Sequence, residues 1–109
     1  MAGLSVNLVE GSPPVAFVAG ELDLATGRRF TAALEIALAV DPATIVDMAE
    51  VTFVDAAGLR AILQTAALLN GSGPLTLVNA SRVEWLLELV GLTDIPSLAL
   101  RTRSAEHAG

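Results

Sequence analysis

Three aspartates hold most of the chemistry this chain has to offer. Asp23, Asp47 and Asp55 each fall at or just after a predicted strand, and Asp55 runs directly into Ala56-Ala57-Gly58. Carboxylates sharing one face would suit a divalent cation, a phospho-acceptor aspartate or polar contacts to a partner. Magnesium asks for a near-octahedral shell of oxygen. Nothing in the spacing fixes three carboxylates within ligand distance, so no metal and no other cofactor is expected. The small residues offer something different. At a helix start they leave little side chain over unpaired backbone amides. That suits close approach by another backbone or an anion, and it equally suits tight packing of the helix on its sheet. Gly58 in a first helical turn costs roughly 1 kcal/mol relative to alanine, which close approach would explain. Asp55 is also a candidate N-cap, and Asp47 can be satisfied by loop amides.

The residue types that are missing exclude several classes of function. The chain has 109 residues and no cysteine, so disulfides, thiolate nucleophiles and cysteine-based metal sites are excluded. There is no lysine; the basic residues are Arg28, Arg29, Arg60, Arg82, Arg101 and Arg103. That removes P-loop phosphate binding and Schiff-base chemistry. The one histidine, His107, lies in a polar tail, where it cannot join a Ser-His constellation inside the fold. Catalysis is therefore not expected. A net charge of −6 argues against nucleic acid and against anionic membrane surfaces, which leaves protein as the expected partner.

The mean hydropathy is high, at +0.64. Even so, Glu35, Asp41 and Asp47 break every apolar run short of the ~18 residues that a membrane span needs. The N-terminal residues lack a basic stretch followed by an apolar one. A cytoplasmic location is the expectation.

The elements that must position these residues follow from period and punctuation. Leu4 to Val9 alternates as a strand, with Leu4, Val6 and Leu8 on one face. Gly11-Ser12-Pro13-Pro14 is turn chemistry, and Val15 to Ala19 completes a hairpin. Gly20 to Thr26 leads into a helix with Thr26 as N-cap. Phe30, Leu34, Ala37 and Leu38 give that helix its apolar stripe, and Asp41-Pro42 ends it. Ala43 to Met48 reads as a central strand buried on both faces, followed by a short hydrophobic connector to Asp55. Leu59, Ile62, Leu63 and Ala66 line a second helix, which ends near Asn70. Leu75 to Val78 is a fourth strand. Ser81-Arg82-Val83-Glu84 is a capping box opening a third helix, with core positions Val83, Leu86, Leu87 and Val90 and with Gly91 as left-handed cap. Ile95 to Leu100 adds an edge strand. The order β-β-α-β-α-β-α-(β) implies a small α/β sandwich: a mixed sheet of about four to five strands with three or more helices and right-handed crossovers. Residues 1–100 form one domain, and 101–109 a flexible tail.

Trp85 stands apart. On the wheel centred on Val83, Leu86, Leu87 and Val90 it points outward, near Leu92 and Leu89. It is either an interface anchor, as outward tryptophans often are, or a lid folded over the C-terminal segment. Arg28 and Arg29 read as a solvated helix face.

Taken together, three segments resemble a STAS domain: Gly20-Glu21-Leu22-Asp23-Leu24-Ala25-Thr26, Val46 to Leu59 through Asp55-Ala56-Ala57-Gly58, and Val83 to Leu92. Such domains occur in sulphate transporters and in bacterial anti-sigma factor antagonists. The resemblance covers nearly the whole chain, and the central segment is the specific part. Without membrane helices, the chain looks like the stand-alone antagonist. The resemblance implies binding to an anti-sigma factor with a histidine-kinase-like ATPase fold, freeing a sigma factor for transcription, as in stress responses. In the family the kinase phosphorylates a serine in an Asp-Ser-Ser-Gly type turn, which abolishes binding. The contact face implied here is Asp23, Thr26, Asp55, Ala56, Ala57, Gly58 and Arg60, with Trp85 and Leu89 as a possible second interface. The chain departs from the pattern at the serine itself: Ala57 stands at the acceptor position and Ala56 before it. Thr52 and Thr26 both have structural readings and make poor substitutes.

The first reading is therefore a non-enzymatic antagonist, monomer or weak dimer, that binds without phosphorylation at Ala57. A second is a STAS subunit of a transporter ATPase complex or signalling scaffold, anchored through Trp85. A third is an enzyme or small-ligand domain, of which the missing lysine, cysteine and core histidine disfavour the enzyme.

Overall fold

The structure, a computed structural model, describes residues 3–101. Of the expected tail 101–109, Arg101 is the last residue of a paired strand, and residues 102–109, with His107 and Arg103, lie outside the described residues. Eight elements follow in chain order: β1 (Leu4–Val9), β2 (Val15–Leu22), α1 (Gly27–Val40), β3 (Ile45–Val54), α2 (Ala56–Ala67), β4 (Leu75–Val78), α3 (Ser81–Leu89) and β5 (Leu98–Arg101). One five-stranded sheet runs β1-β2-β3-β4-β5. β1 and β2 are antiparallel, and every later pair is parallel. This is the mixed α/β sheet the sequence implied.

Strand order equals chain order, so the three crossovers step the same way. With the usual right hand they place their helices side by side on one face, and α1 does pack on α2 and α2 on α3. Beneath them, Ala16, Val18, Val46, Leu75 and Leu77 form the floor of the core. Phe30, Leu34 and Leu38 reach it from α1, Leu59, Ile62 and Ala66 from α2, and Val83 and Leu87 from α3. The i, i+3/i+4 stripe read from the sequence is the buried stripe for α1; on α2, Leu59, Ile62 and Ala66 are buried as read, Leu63 is only partly buried, and Ala61 and Thr65 join the buried face.

β3 departs from the expected order. The connector after Asp47 is strand, and β3 runs ten residues to Val54. Its pairing with β2 slips twice: Phe17 to Ala19 spans Asp47 to Glu50, and Gly20 to Glu21 spans Val51 to Phe53. Each slip inserts one extra β3 residue, a bulge. The buried positions Val51 and Val54 are consequently three apart instead of two, and this broken period disguises the strand. At its other end, Asp41 holds Ala43 and Thr44 in a turn: its carboxylate accepts from the Ala43 amide and its carbonyl from the Thr44 hydroxyl. The strand therefore begins at Ile45.

Other details also correct the reading. α3 begins at Ser81 itself, with Ala80 at the cap position and no side-chain capping bond, so the capping box does not form. Asn79 adopts a left-handed conformation, φ 56°. Its side chain donates to Asp47 Oδ1 at 3.3 Å, which turns the chain one residue too early for Ser81 to cap. Val90 falls after the last turn and is exposed. Gly91, at φ 79°, does end the helix. Its amide donates to the Glu88 carbonyl and the Leu92 amide to the Leu87 carbonyl, the paired bonds of a Schellman motif. Arg29 is not merely solvated, since its Nη1 donates to the Leu4 carbonyl at 3.0 Å and ties α1 to the edge strand.

Candidate functional site

Two chain reversals lie side by side at the carboxyl end of the parallel strands, where α/β sheets usually meet ligands. The first follows β2. Asp23 Oδ1 accepts from the amides of Ala25 (3.0 Å) and Thr26 (3.1 Å). Thr26 Oγ1 accepts from the Asp23 amide at 3.0 Å and donates to the Glu21 carbonyl at 2.8 Å. Thr26 does occupy the N-cap position, but its hydroxyl points back into the turn and makes no capping bond to α1. The result is a locked turn that holds Leu24 out into solvent, 82% exposed. The sequence reading did not single out Leu24, which this turn presents at the groove beside Asp23. Its signal was one leucine set among turn-forming polar residues, with no helical or strand partner position.

The second reversal joins β3 to α2. Asp55 caps the helix by accepting from the Gly58 amide at 2.9 Å, and its own amide donates to the Leu22 carbonyl at 3.3 Å. Gly58 is buried. A Cβ there would run into that same Leu22 carbonyl, well inside van der Waals contact. The close approach that glycine permits is thus internal, between α2 and the end of β2. Ala56 is exposed and Ala57 half-buried, with Arg60 exposed one turn on.

The fold brings Asp23, Leu24, Ala57 and Arg60 to one groove of about 550 Å³ between α1 and α2, with Gly27, Arg28 and Ala61 among its other walls. Asp55 and Ala56 adjoin it through Ala57. Two of the expected contact residues have a different place: Thr26 (7% exposed) and Gly58 are buried. Thr26 fixes the first turn and Gly58 seats the second, so any part they play in a contact passes through the residues they position.

Asp47 does not join Asp23 and Asp55. Val46 faces the helices, so its neighbour Asp47 faces the other side of the sheet, in register with Phe17 and Val78. Asp47 Oδ1 accepts from the Ala49 amide, which sits in the first bulge without a register partner on β2. It is buried mid-strand, not at a strand end. Among the described residues, no three acidic or histidine side chains are placed to hold a metal ion.

Trp85 stays outward, 61% exposed, with Leu89 at 66%. It walls a depression of about 420 Å³ with Phe53, Val54, Ser81 and Arg82. Val54 immediately precedes Asp55, so this depression starts beside the second reversal. No described helix is long and apolar enough to cross a membrane.

Comparison with known proteins gives a family and a fold. The family model described as "Mlab, STAS domain" matches residues 9–101. No curated protein matches the chain. Among solved structures, the fold is similar to that of the anti-sigma factor antagonist SpoIIAA in its unphosphorylated form. The TM-score is 0.62 at 18% sequence identity, covering 97% of this chain and 96% of that one.

Proposed function

The chain belongs to the STAS-domain family, and from that premise we propose that it is an anti-sigma factor antagonist acting in the bacterial cytoplasm. Its partner is an anti-sigma factor of the histidine-kinase-like ATPase type, and its output is sigma-factor-dependent transcription. It works by occupancy, without catalysis. One observation supports this reading: the turn that the resemblance aligns with the family's phospho-acceptor site is an ordered strand-to-helix reversal in this chain. Asp55 caps α2, Gly58 rests on the Leu22 carbonyl, and Ala57 sits in the groove wall.

Ala57 has no hydroxyl, so a kinase partner cannot write a phosphate there. A phosphate would bring about −1.5 to −2 charges to a turn that already contains Asp55 and adjoins the turn of Asp23, and would have to be desolvated in the contact. Alanine holds the surface in the neutral state. Binding is then governed by the amounts of the two proteins and by competition with the sigma factor.

The test is affinity capture from the native cytoplasm with wild type beside Ala57→Asp, followed by incubation of the captured complex with ATP. We expect wild type to retain an ATPase-fold anti-sigma factor, the Asp variant to lose it, and no phosphate to appear on residues 52–58. A stoichiometric phosphate in that turn, or retention of transport-ATPase subunits in place of an anti-sigma factor, would overturn the reading.

A further inference from the structure

One edge of the sheet is open along its length. Natural edge strands are usually short, charged or interrupted by proline, which blocks further pairing. β5, at one edge, has four residues and ends on Arg101. β1, at the other, has six, with no charge and no proline among them.

The ladder decides which groups this edge offers. In an antiparallel pair, alternate residues turn both backbone groups toward the neighbouring strand. The Glu21 amide donates to the Gly3 carbonyl at 2.8 Å, so Gly3, and in register Ser5, Asn7 and Val9, face β2. Leu4, Val6 and Leu8 therefore turn their amides and carbonyls outward. Arg29 fits this direction, since it donates to the Leu4 carbonyl from outside the ladder. Among the described residues, no hydrogen bond reaches the outward groups of Val6 or Leu8.

The helix layer extends the edge. α1 packs on both β1 and β2. Arg29, Ala33, Ile36 and Val40 share its flank away from α2 by helical spacing, while Arg28, Thr31 and Glu35 line the groove on the opposite flank. Ile36 is 69% and Val40 78% exposed. α1 and β1 both run back against β2. From Arg29, beside Leu4, α1 rises about 10 Å to Ile36 and about 16 Å to Val40, and β1 rises about 13 Å from Leu4 to Leu8. Ile36 and Val40 thus accompany Leu8, which is exposed on the helix side of the sheet with Leu4 and Val6.

We propose that this edge pairs with the same edge of a second copy of the chain, giving a two-fold dimer with one continuous sheet. The edge selects that occupant because it is complementary to itself. A two-fold axis through Asn7 sets Val6 opposite Leu8 of the second copy, so that their outward groups exchange hydrogen bonds. It also sets Leu4 opposite Glu10 of the second copy. Arg29 stands at that Leu4 carbonyl, and Glu10 shares the helix side of the strand by alternation. Each end of the interface therefore joins an arginine to an acid, and neither β1 nor this flank of α1 adds another charge. With α1 over the β1–β2 pair and strands about 4.8 Å apart, the two α1 helices come about 10 Å from each other, a normal packing distance. Ile36 and Val40 are then covered by their counterparts. Only the two short β5 edges stay open, so the assembly closes at two copies. This inference goes beyond the antagonist reading and is independent of it: the Ala57 turn and its groove lie on the other flank of α1, and both stay accessible in the dimer.

The experiment uses the full chain, labelled with nitrogen-15 and followed across protein concentration by sedimentation equilibrium and amide exchange. We expect a monomer–dimer equilibrium in which the Val6 and Leu8 amides exchange more slowly as dimer forms. Ile36→Glu and Glu10→Arg should each weaken the dimer tenfold or more, with Trp85→Ala unchanged. Adding Arg29→Glu to Glu10→Arg should restore association, because the charge pair is reversed and not lost. The substituted residues are all exposed, and the spectrum reports whether the variants remain folded. A monomer at millimolar concentration, or a dimer whose Val6 and Leu8 amides exchange as fast as the monomer's, would overturn the proposal. So would a dimer indifferent to both Ile36→Glu and Glu10→Arg. A strictly monomeric chain that captures an anti-sigma factor sinks the dimer alone. A dimer that captures none sinks the antagonist reading alone.

Discussion

The α-carbon of Gly58 faces the carbonyl oxygen of Leu22 so closely that no side chain fits between them. The same carbonyl accepts the Asp55 amide at 3.3 Å. One oxygen at the end of β2 thus sets both the start of α2 and the presentation of Ala57. Gly58→Ala gains roughly 1 kcal/mol of helix propensity but forces the helix start off its seat. The overpacking should win, for a net loss of about 1–3 kcal/mol, read as a lower urea midpoint at unchanged slope. A stability equal to or above wild type would mean that the seat yields freely.

The cap can be tested apart from the seat. Asp55→Ala removes the acceptor for the Gly58 amide and should cost about 1 kcal/mol. Asp55→Asn keeps an acceptor oxygen and should retain most of that stability, as thermal or urea unfolding would register. If both variants lose the same amount, the carboxylate charge matters and the hydrogen bond does not.

Thr26→Val is nearly isosteric and probes the first turn. It leaves the Asp23 amide and the Glu21 carbonyl without the hydroxyl that now joins them. We expect a loss of about 1–3 kcal/mol and faster hydrogen exchange at Asp23, Leu24 and Ala25. Unchanged exchange there would show that the Asp23 carboxylate alone holds the turn.

Ala57→Asp separates stability from binding. An acid in the first turn of α2 favours the helix dipole by about 0.3–1 kcal/mol, so the variant should be no less stable than wild type. Its affinity for the anti-sigma partner should nonetheless fall at least tenfold, about 1.4 kcal/mol. Titration calorimetry against the captured partner decides this, and an unchanged affinity would place the contact elsewhere.

Trp85 and Phe30 make a contrasting pair of large aromatic residues. Phe30 is wholly buried while Trp85 is 61% exposed. Phe30→Ala should cost about 3–5 kcal/mol, much of a small domain's stability. Trp85→Ala should stay within about 0.5 kcal/mol. A large loss at Trp85 would mark it as part of the fold and remove its surface from consideration as an interface.

Local order was readable where one element's own residues decide it. The stripe Phe30, Leu34, Ala37 and Leu38 is buried as its spacing implies. Gly91 ends α3 because only the last turn and one left-handed residue are involved. Asp55 caps α2 three residues from its partner amide. The capping box at Ser81 was also a local rule, yet it failed, because Asn79 is drawn toward Asp47 across 32 residues of chain.

What the sequence determined by itself is the set of elements, their order, and the absence of cysteine and lysine at any site, since these depend on residue types and short-range period. What only the tertiary structure decided is which of those residues meet. Two bulges against β2 lengthen β3 through its disguised connector, bury Asp47 mid-strand on the far side of the sheet, and leave Asp55 beside the turn of Asp23. The contact of Gly27 with Ala61 sets Arg28 and Arg60 on facing walls of one groove. Register and helix approach are settled between segments some thirty residues apart, where the period of either segment alone has nothing to say.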